Sequence, residues 1–270
     1  MILYKYMSFG AARRVIETLS LGFSCLEDLN DPFECTAFGF KDRDESISAK
    51  TATDACRTRF SRKYGVLSLT RQPLNALMWS HYGDSHQGIV LGFDCDSVGF
   101  SDPQSNVIPS QYGEMIYSAS KPHNDLPVIG EHELMSIGGS LRFDSNAFNL
   151  IKRAFLYKSL EWAYEEEVRV VKNIEKIPFG YHTGDGRYRE WNKVTVSGRP
   201  LYCFGLPENS LKEIYLGRHL YRNVTKGGSV TDEELKAVLE FWGKKDIKIM
   251  RCEPDVQTWN LVAKQFINKS

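Results

Sequence analysis

Little in this sequence is extreme, and what it lacks removes whole classes of protein. There is no net charge: 34 Lys and Arg balance 34 Asp and Glu in 270 residues. Binding dominated by a nucleic-acid backbone needs a positive field to displace counterions, so broad nucleic-acid binding is not expected. The densest basic stretch of the first half, Arg57, Arg59, Arg62 and Lys63, reads as a solvated helix face. No apolar run approaches the roughly 20 residues needed to span a bilayer. The opening Met1-Ile2-Leu3-Tyr4-Lys5-Tyr6 lacks the apolar core and small-residue cleavage site of a signal peptide. The six cysteines, Cys25, Cys35, Cys56, Cys95, Cys203 and Cys252, are scattered and form no C-x-x-C pair. That usage suits reduced thiols in the cytoplasm, and no short-spaced ligand set predicts a metal. Also absent are the G-x-x-x-x-G-K-[ST] phosphate loop, the G-x-G-x-x-G fingerprint and the G-x-S-x-G nucleophile elbow.

What is present is ordinary for a soluble fold: 42% hydrophobic and 25% charged residues. Apolar periodicity predicts strands over Leu3–Tyr6, Gly22–Cys25, Gly65–Thr70, Gly88–Phe93, Tyr112–Tyr117, Glu167–Lys172, Leu211–Leu216 and Asp246–Arg251. It predicts helices over Ala11–Leu19, Ala49–Phe60, Asn75–His81, Phe148–Tyr157 and Thr231–Trp242. Thr231 and Glu234 would form a capping box on the last. Asn30-Asp31-Pro32-Phe33-Glu34 reads as a turn. Residues 181–200 read as a long loop, and an irregular insertion or lid falls around 118–145. Strands and helices mix without a βαβ rhythm. The expected fold is a single α+β domain over 1–270: mixed short strands in a central split sheet, with flanking helices.

Two clusters carry candidate chemistry. The first is Trp79-Ser80-His81-Tyr82, followed by His86 and Gly88. Trp79 and Tyr82 are amphipathic, and His81 is a natural proton carrier near neutral pH. A packed helix end accounts for the same residues. The second is Trp162-Ala163-Tyr164-Glu165-Glu166-Glu167-Val168-Arg169. In a strand, Glu165, Glu167 and Arg169 would share one face and Glu166, Val168 and Val170 the other. Two carboxylates walled by aromatics can do acid/base work or hydrogen-bond a ribose. A surface salt-bridge pattern is the plain alternative. His123 and His132, with Glu131 and Glu133, do not make H-E-x-x-H and read as a solvated loop.

The chain resembles the bacterial domain-of-unknown-function family 2971. Five blocks carry the likeness, from residue 3 to 217. They are Leu3–Tyr6, Asn30–Glu34, Asn75–Gly83 with His86 and Gly88, Lys158 with Trp162–Arg169, and Ile214–Gly217. A more distant likeness is to NAD-using ADP-ribosyltransferases, which place a His, Arg or Tyr on a first strand, Ser, Thr or Tyr on a middle strand and a catalytic Glu on a late one. That resemblance implies Tyr4 or Tyr6 in the first role, Ser68 and Thr70 in the second, and Glu167 with Glu165 in the third. The first strand has no Arg, and Ser-Leu-Thr replaces the usual Ser-Thr-Ser. The implied roles are catalytic Glu167, Glu165 and His81, with Tyr4, Tyr6, Ser68, Trp79, Tyr82, Trp162, Tyr164 and Arg169 binding substrate. NAD would be the substrate, with no metal, and a protein acceptor or partner would fit; a toxin or phage-defence effector would use such chemistry. Two rivals remain: a non-enzymatic ligand-sensing or protein-interaction domain, and a hydrolase or nuclease holding a divalent metal with Glu165, Glu167 and His81.

Overall fold

The chain begins on Ile2–Met7, whose alternating side chains face two different apolar layers. Leu3 and Met7 enter one core cluster, while Tyr4 and Tyr6 face another. This strand, β1, belongs to a ten-stranded mixed sheet in the computed structural model, which describes residues 1–40, 48–122, 139–175, 180–182, 188–190, 192–220, 232–243 and 247–266. The remaining strands are β2 (Ser20–Cys25), β3 (Tyr64–Thr70), β4 (Ile89–Asp94), β5 (Ile116–Ser118), β6 (Tyr157–Ser159), β7 (Glu167–Asn173), β8 (Gly180–His182), β9 (Tyr188–Glu190), β10 (Asn192–Val196), β11 (Arg199–Gly205), β12 (Leu211–Leu216), β13 (Lys248–Pro254) and β14 (Leu261–Gln265). The helices are α1 (Phe9–Thr18), α2 (Ala49–Ser61), α3 (Ala76–His81), α4 (Cys95–Val98), α5 (Phe148–Phe155) and α6 (Asp232–Gly243). The fold is α+β, as the mixed pattern predicts.

The sheet runs β10-β11-β2-β3-β1-β4-β12-β13-β14, with β7 joined to β3. Only β12 and β13 are parallel within it. Strand β3 is the junction. One edge pairs with β7 over its whole length, from Tyr64↔Asn173 to Thr70↔Glu167. The other edge is shared: β2 takes Gly65 and Val66, and β1 takes Thr70. Among the described residues no strand pairs with that edge at Leu67–Leu69. The sheet is therefore parted between β1 and β2.

Side-chain alternation then sorts the two faces. Leu67, Leu69, Val168 and Val170 join Leu3 and Met7 in one large core, covered by α1 and α6 through Ala12, Ile16, Leu235, Leu239 and Trp242. The opposite face carries two smaller apolar clusters. Tyr64, Val66 and Val171 pack under α2 and α5, against Phe60, Ile151 and Phe155. Tyr6, Val90 and Tyr215 pack under α3, against Met78 and Trp79. Between these two clusters the face turns polar, at Ser68, Thr70, Glu167 and Arg169.

The far edge of β7 is also covered. Arg169 N–H donates to Gly113 O at 2.8 Å, Met115 N–H to Glu167 O at 3.1 Å, and Val171 N–H to Ile108 O at 3.0 Å. Gly113 is required here: a Cβ would sit 1.8 Å from the Arg169 carbonyl oxygen.

Some boundaries differ from expectation. Tyr112–Tyr117 is a 3-10 turn at Ser110–Tyr112 and then β5. Tyr157 leaves α5 and opens β6. Residues 181–200 are mostly strand rather than loop where described, in β8, β9, β10 and the start of β11, with a turn at Ser197-Gly198. Pairing imposes extended structure there, of β10 with β11 and of β11 with β2 in the large sheet and of β8 with β9 in a separate pair, which a polar sequence does not advertise. A further strand, β14, follows β13. Of the expected lid, residues 123–138 lie outside the described residues, as do Thr231 of the capping box and His123, Glu131, His132 and Glu133. At its end Phe143 stacks on Tyr112 with ring centroids 4.5 Å apart.

Candidate functional site

The two sequence clusters meet. Asn75 caps α3, accepting from Leu77 and Met78 N–H at 3.0 and 3.2 Å, and its amide donates to Tyr164 O at 2.8 Å. At the other end of α3, Tyr82 donates its hydroxyl to Glu165 Oε1 at 2.6 Å and receives Asn30 Nδ2 at 3.1 Å. A cap and a phenol thus bind the α3 block to the glutamate block.

The glutamates arrive by a route the strand pattern did not foresee. Glu165 ends a 3-10 helix, Leu160–Glu165, and is not in a strand. Glu166 takes a left-handed conformation with φ of 42° and turns outward to receive Gln72 Nε2 at 3.1 Å. Strand alternation begins only at Glu167. The tight turn still returns both flanking carboxylates to one place. Lys158 Nζ, from β6, donates to Glu165 Oε2 at 2.5 Å and to Glu167 Oε2 at 3.0 Å.

Arg169 completes the cluster. Its Nε donates to Glu167 Oε1 at 2.8 Å, and its Nη1 to Glu34 Oε2 at 2.8 Å and to Phe155 O at 2.7 Å. Its Nη2 reaches Glu34 Oε1 at 2.5 Å. Three carboxylates and two cations therefore form a buried network, with Lys158, Glu165, Glu167, Glu34 and Arg169 each under a tenth exposed. Burial works against the Glu167 anion. Attraction from Arg169 and Lys158, with hydrogen bonds from Arg169 and Ser68, outweighs it and holds the carboxyl at about 2. Burial and the bond to Glu165 push the Tyr82 phenol far above its ordinary value.

This network forms one wall of a cavity of about 320 Å³ at the parting of β1 and β2. Ligand pockets usually hold about 300–1,000 Å³, so this lies at the small end. Lys5 and Tyr4 from β1, Ser68 and Thr70 from β3, and Gly22 and Ser24 from β2 line it with Tyr82.

The remaining expected residues divide. Trp79 is fully buried: its indole donates to Pro73 O at 3.0 Å, and its ring meets Tyr6 edge-on at 5.3 Å. It has no exposed face to offer a ligand. Tyr6 lines the cavity but spends its hydroxyl on Gln72 O at 2.7 Å. The Tyr4 hydroxyl donates to Glu213 Oε2 at 2.9 Å. His81 is exposed, 6.2 Å in ring centroid from both Tyr82 and Tyr164, and does not line the cavity. Trp162 lies 4.9 Å under Lys158 Nζ, and its ring is 6.2 Å from that of Tyr164. No group of three or more His, Cys, Asp or Glu placed to hold a metal occurs among the described residues. Sequence reasoning gave no role to Lys5, Asn30, Glu34 or Lys158. The signal was available for all four, since each lies in one of the five family-like blocks.

Fold and site together define an α+β protein whose parted mixed sheet holds a buried ion network against a cleft. Residues 78–170 match the family model described as a protein of unknown function, DUF2971. The matched stretch holds Met78–His81 of α3, Lys158, Glu165, Glu167 and Arg169, while β1, Glu34 and the Ile214–Gly217 block lie outside it. No curated protein and no solved structure matches the chain. No described helix is long and apolar enough to cross a membrane.

Proposed function

We propose that this protein is a nucleotide-processing enzyme that acts on NAD, transferring the ADP-ribosyl group or hydrolysing the bond to nicotinamide. The observation that carries the reading is Glu167: a buried carboxylate, held ionised at about 2, on the wall of a cleft. Such a group is a poor proton donor at neutral pH. It is well suited to be a fixed negative charge and hydrogen-bond acceptor. Breaking the ribose–nicotinamide bond builds positive charge on the ribose, and a preorganised anion in a water-poor site stabilises it. Ser68 and Thr70 on β3 stand on the same face as Glu167, opposite Arg169 and Glu167 in register, and Tyr4 pairs with Thr70. Three adjacent strands therefore carry Tyr4, Ser68, Thr70 and Glu167, which the ADP-ribosyltransferase likeness names. A toxin or phage-defence effector is the cellular setting this chemistry suits.

The test is nicotinamide release from NAD by the purified chain. Release is expected, reduced at least about 100-fold in Glu167→Gln, the scale of losing one charge-stabilising group. Glu166→Gln, on the outward-facing neighbour, keeps full activity. No release from any nicotinamide nucleotide, or release indifferent to Glu167→Gln in a folded variant, overturns the proposal.

One observation favours a second reading, a non-enzymatic ligand-sensing domain. Glu34, Glu165 and Glu167 already have their oxygens satisfied within the chain. Tight nucleotide binding with no turnover, lost in Tyr82→Ala, would select this reading.

A further inference from the structure

We propose that Lys5 anchors a phosphoryl group of the cleft ligand, at the parting of β1 and β2. The side chain leaves β1 on the face of Leu3 and Met7, opposite to Tyr4 and Tyr6. Its amine turns into the open stretch of β3 and donates to Ser68 O at 3.0 Å. An ammonium has three protons to donate. Among the described residues Lys5 has this one hydrogen-bond acceptor and no ion pair.

The contrast with its neighbours is plain. Arg169 spends all five of its N–H donors, and Lys158 is held by two carboxylates with its ammonium over the Trp162 ring. Among the described residues Lys5 is the cleft cation with no carboxylate partner, and it lines the cavity with two donors to spare. Enclosure pushes its pKa down to about 8, against the pull of Glu167. An under-coordinated ammonium in a part-buried position is costly unless an acceptor completes it. A phosphoryl oxygen supplies both the missing acceptor and the missing charge. The Ser68 carbonyl accepts a hydrogen bond from Lys5 while the Ser68 hydroxyl donates to Glu167. A ligand held at Lys5 is thus placed one residue from the carboxylate proposed to act on its ribose.

This inference rests on the nucleotide reading, and its test needs no turnover. Surface and cleft amines of the full chain are reductively methylated with formaldehyde and borohydride while inorganic pyrophosphate is titrated in. Labelling is mapped by peptide mass spectrometry. At about ten times the dissociation constant roughly nine sites in ten are occupied, so Lys5 labelling falls about tenfold. Exposed Lys248 is labelled at an unchanged rate. A Lys5 rate that pyrophosphate does not alter overturns the proposal with no variant involved. In a second arm, Lys5→Met weakens nicotinamide mononucleotide by about 10–100-fold and leaves nicotinamide riboside unaffected, as expected for one charged hydrogen bond. Equal losses for both ligands, or none, overturn it. Protection at Lys5 without nicotinamide release keeps this site and removes the proposed reaction. Release that survives Lys5→Met, with no protection, does the reverse.

Discussion

Replacing Glu167 with glutamine keeps the shape of the side chain and removes its charge. In the folded chain the carboxyl sits at about 2, against an ordinary 4.5. At ~1.4 kcal/mol per pH unit, that difference is worth about 3 kcal/mol of stability. The sign follows from the direction. A depressed carboxylate contributes fully above its unfolded value and loses the contribution as pH falls toward its folded value. The partners agree with this scale. Glu167→Gln leaves Lys158 with Glu165 alone and Arg169 with Glu34, inside a network less than a tenth exposed. Breaking one partner from a buried pair costs about 3–5 kcal/mol. Urea unfolding of both chains at pH 7 should therefore differ by about 3 kcal/mol. The difference should shrink between pH 5 and 3, as the wild type loses the Glu167 contribution that the variant never has. A domain with about 5–15 kcal/mol to spare remains folded. A difference under about 1 kcal/mol at pH 7, or one that acid does not narrow, refutes the account of the network as a tightly coupled buried cluster.

Two further outcomes follow from the geometry. Gly113→Ala places a Cβ 1.8 Å from the Arg169 carbonyl oxygen, on the backbone that covers β7. It should cost at least about 1–3 kcal/mol in thermal or urea unfolding; a neutral effect would mean that this segment does not clamp β7. Lys172 is buried on the other face of β7, where it donates to Ser105 O and lies 4.7 Å over the Phe204 ring. Burial lowers its pKa to about 7, partly offset by Asp102. The unfolded chain then holds a proton that the folded chain sheds between about pH 7 and 10, so stability rises with pH across that window. Lys172→Met should stabilise the protein at pH 7 and flatten the rise. A rise unchanged in the variant assigns it to another group.

How far the sequence alone reaches can be judged from particular residues. Apolar runs and helical spacing mark β3, β12, α2 and α3 to within a residue or so, because each buries apolar side chains whose positions must recur with the element's own geometry. The same spacing misses β8–β11, whose exposed positions in β10 carry no apolar pattern. Those strands exist through pairing, which a local pattern does not encode. The site divides likewise. Glu165 and Glu167 are picked out by their spacing, yet the reason assumed for their convergence was a shared strand face. A left-handed residue at Glu166 does that work instead. His81 attracts notice as a histidine, but the helix turns it outward, and the neighbouring Tyr82 makes the contact.

What the sequence determined by itself is therefore the local layer: which segments are helix or strand, and that aromatic and glutamate clusters are set apart from the rest. What only the tertiary structure decided is which charges are spent. Glu34, Lys158 and Arg169 are 135 and 11 residues apart along the chain at most and least, as their bonds and numbering give. Nothing in their sequence spacing pairs them. Burial makes the pairing obligatory, since an ion removed from water must find its partner inside the fold. The same packing parts β1 from β2, opens the cleft, and leaves Lys5 there with protons still to give.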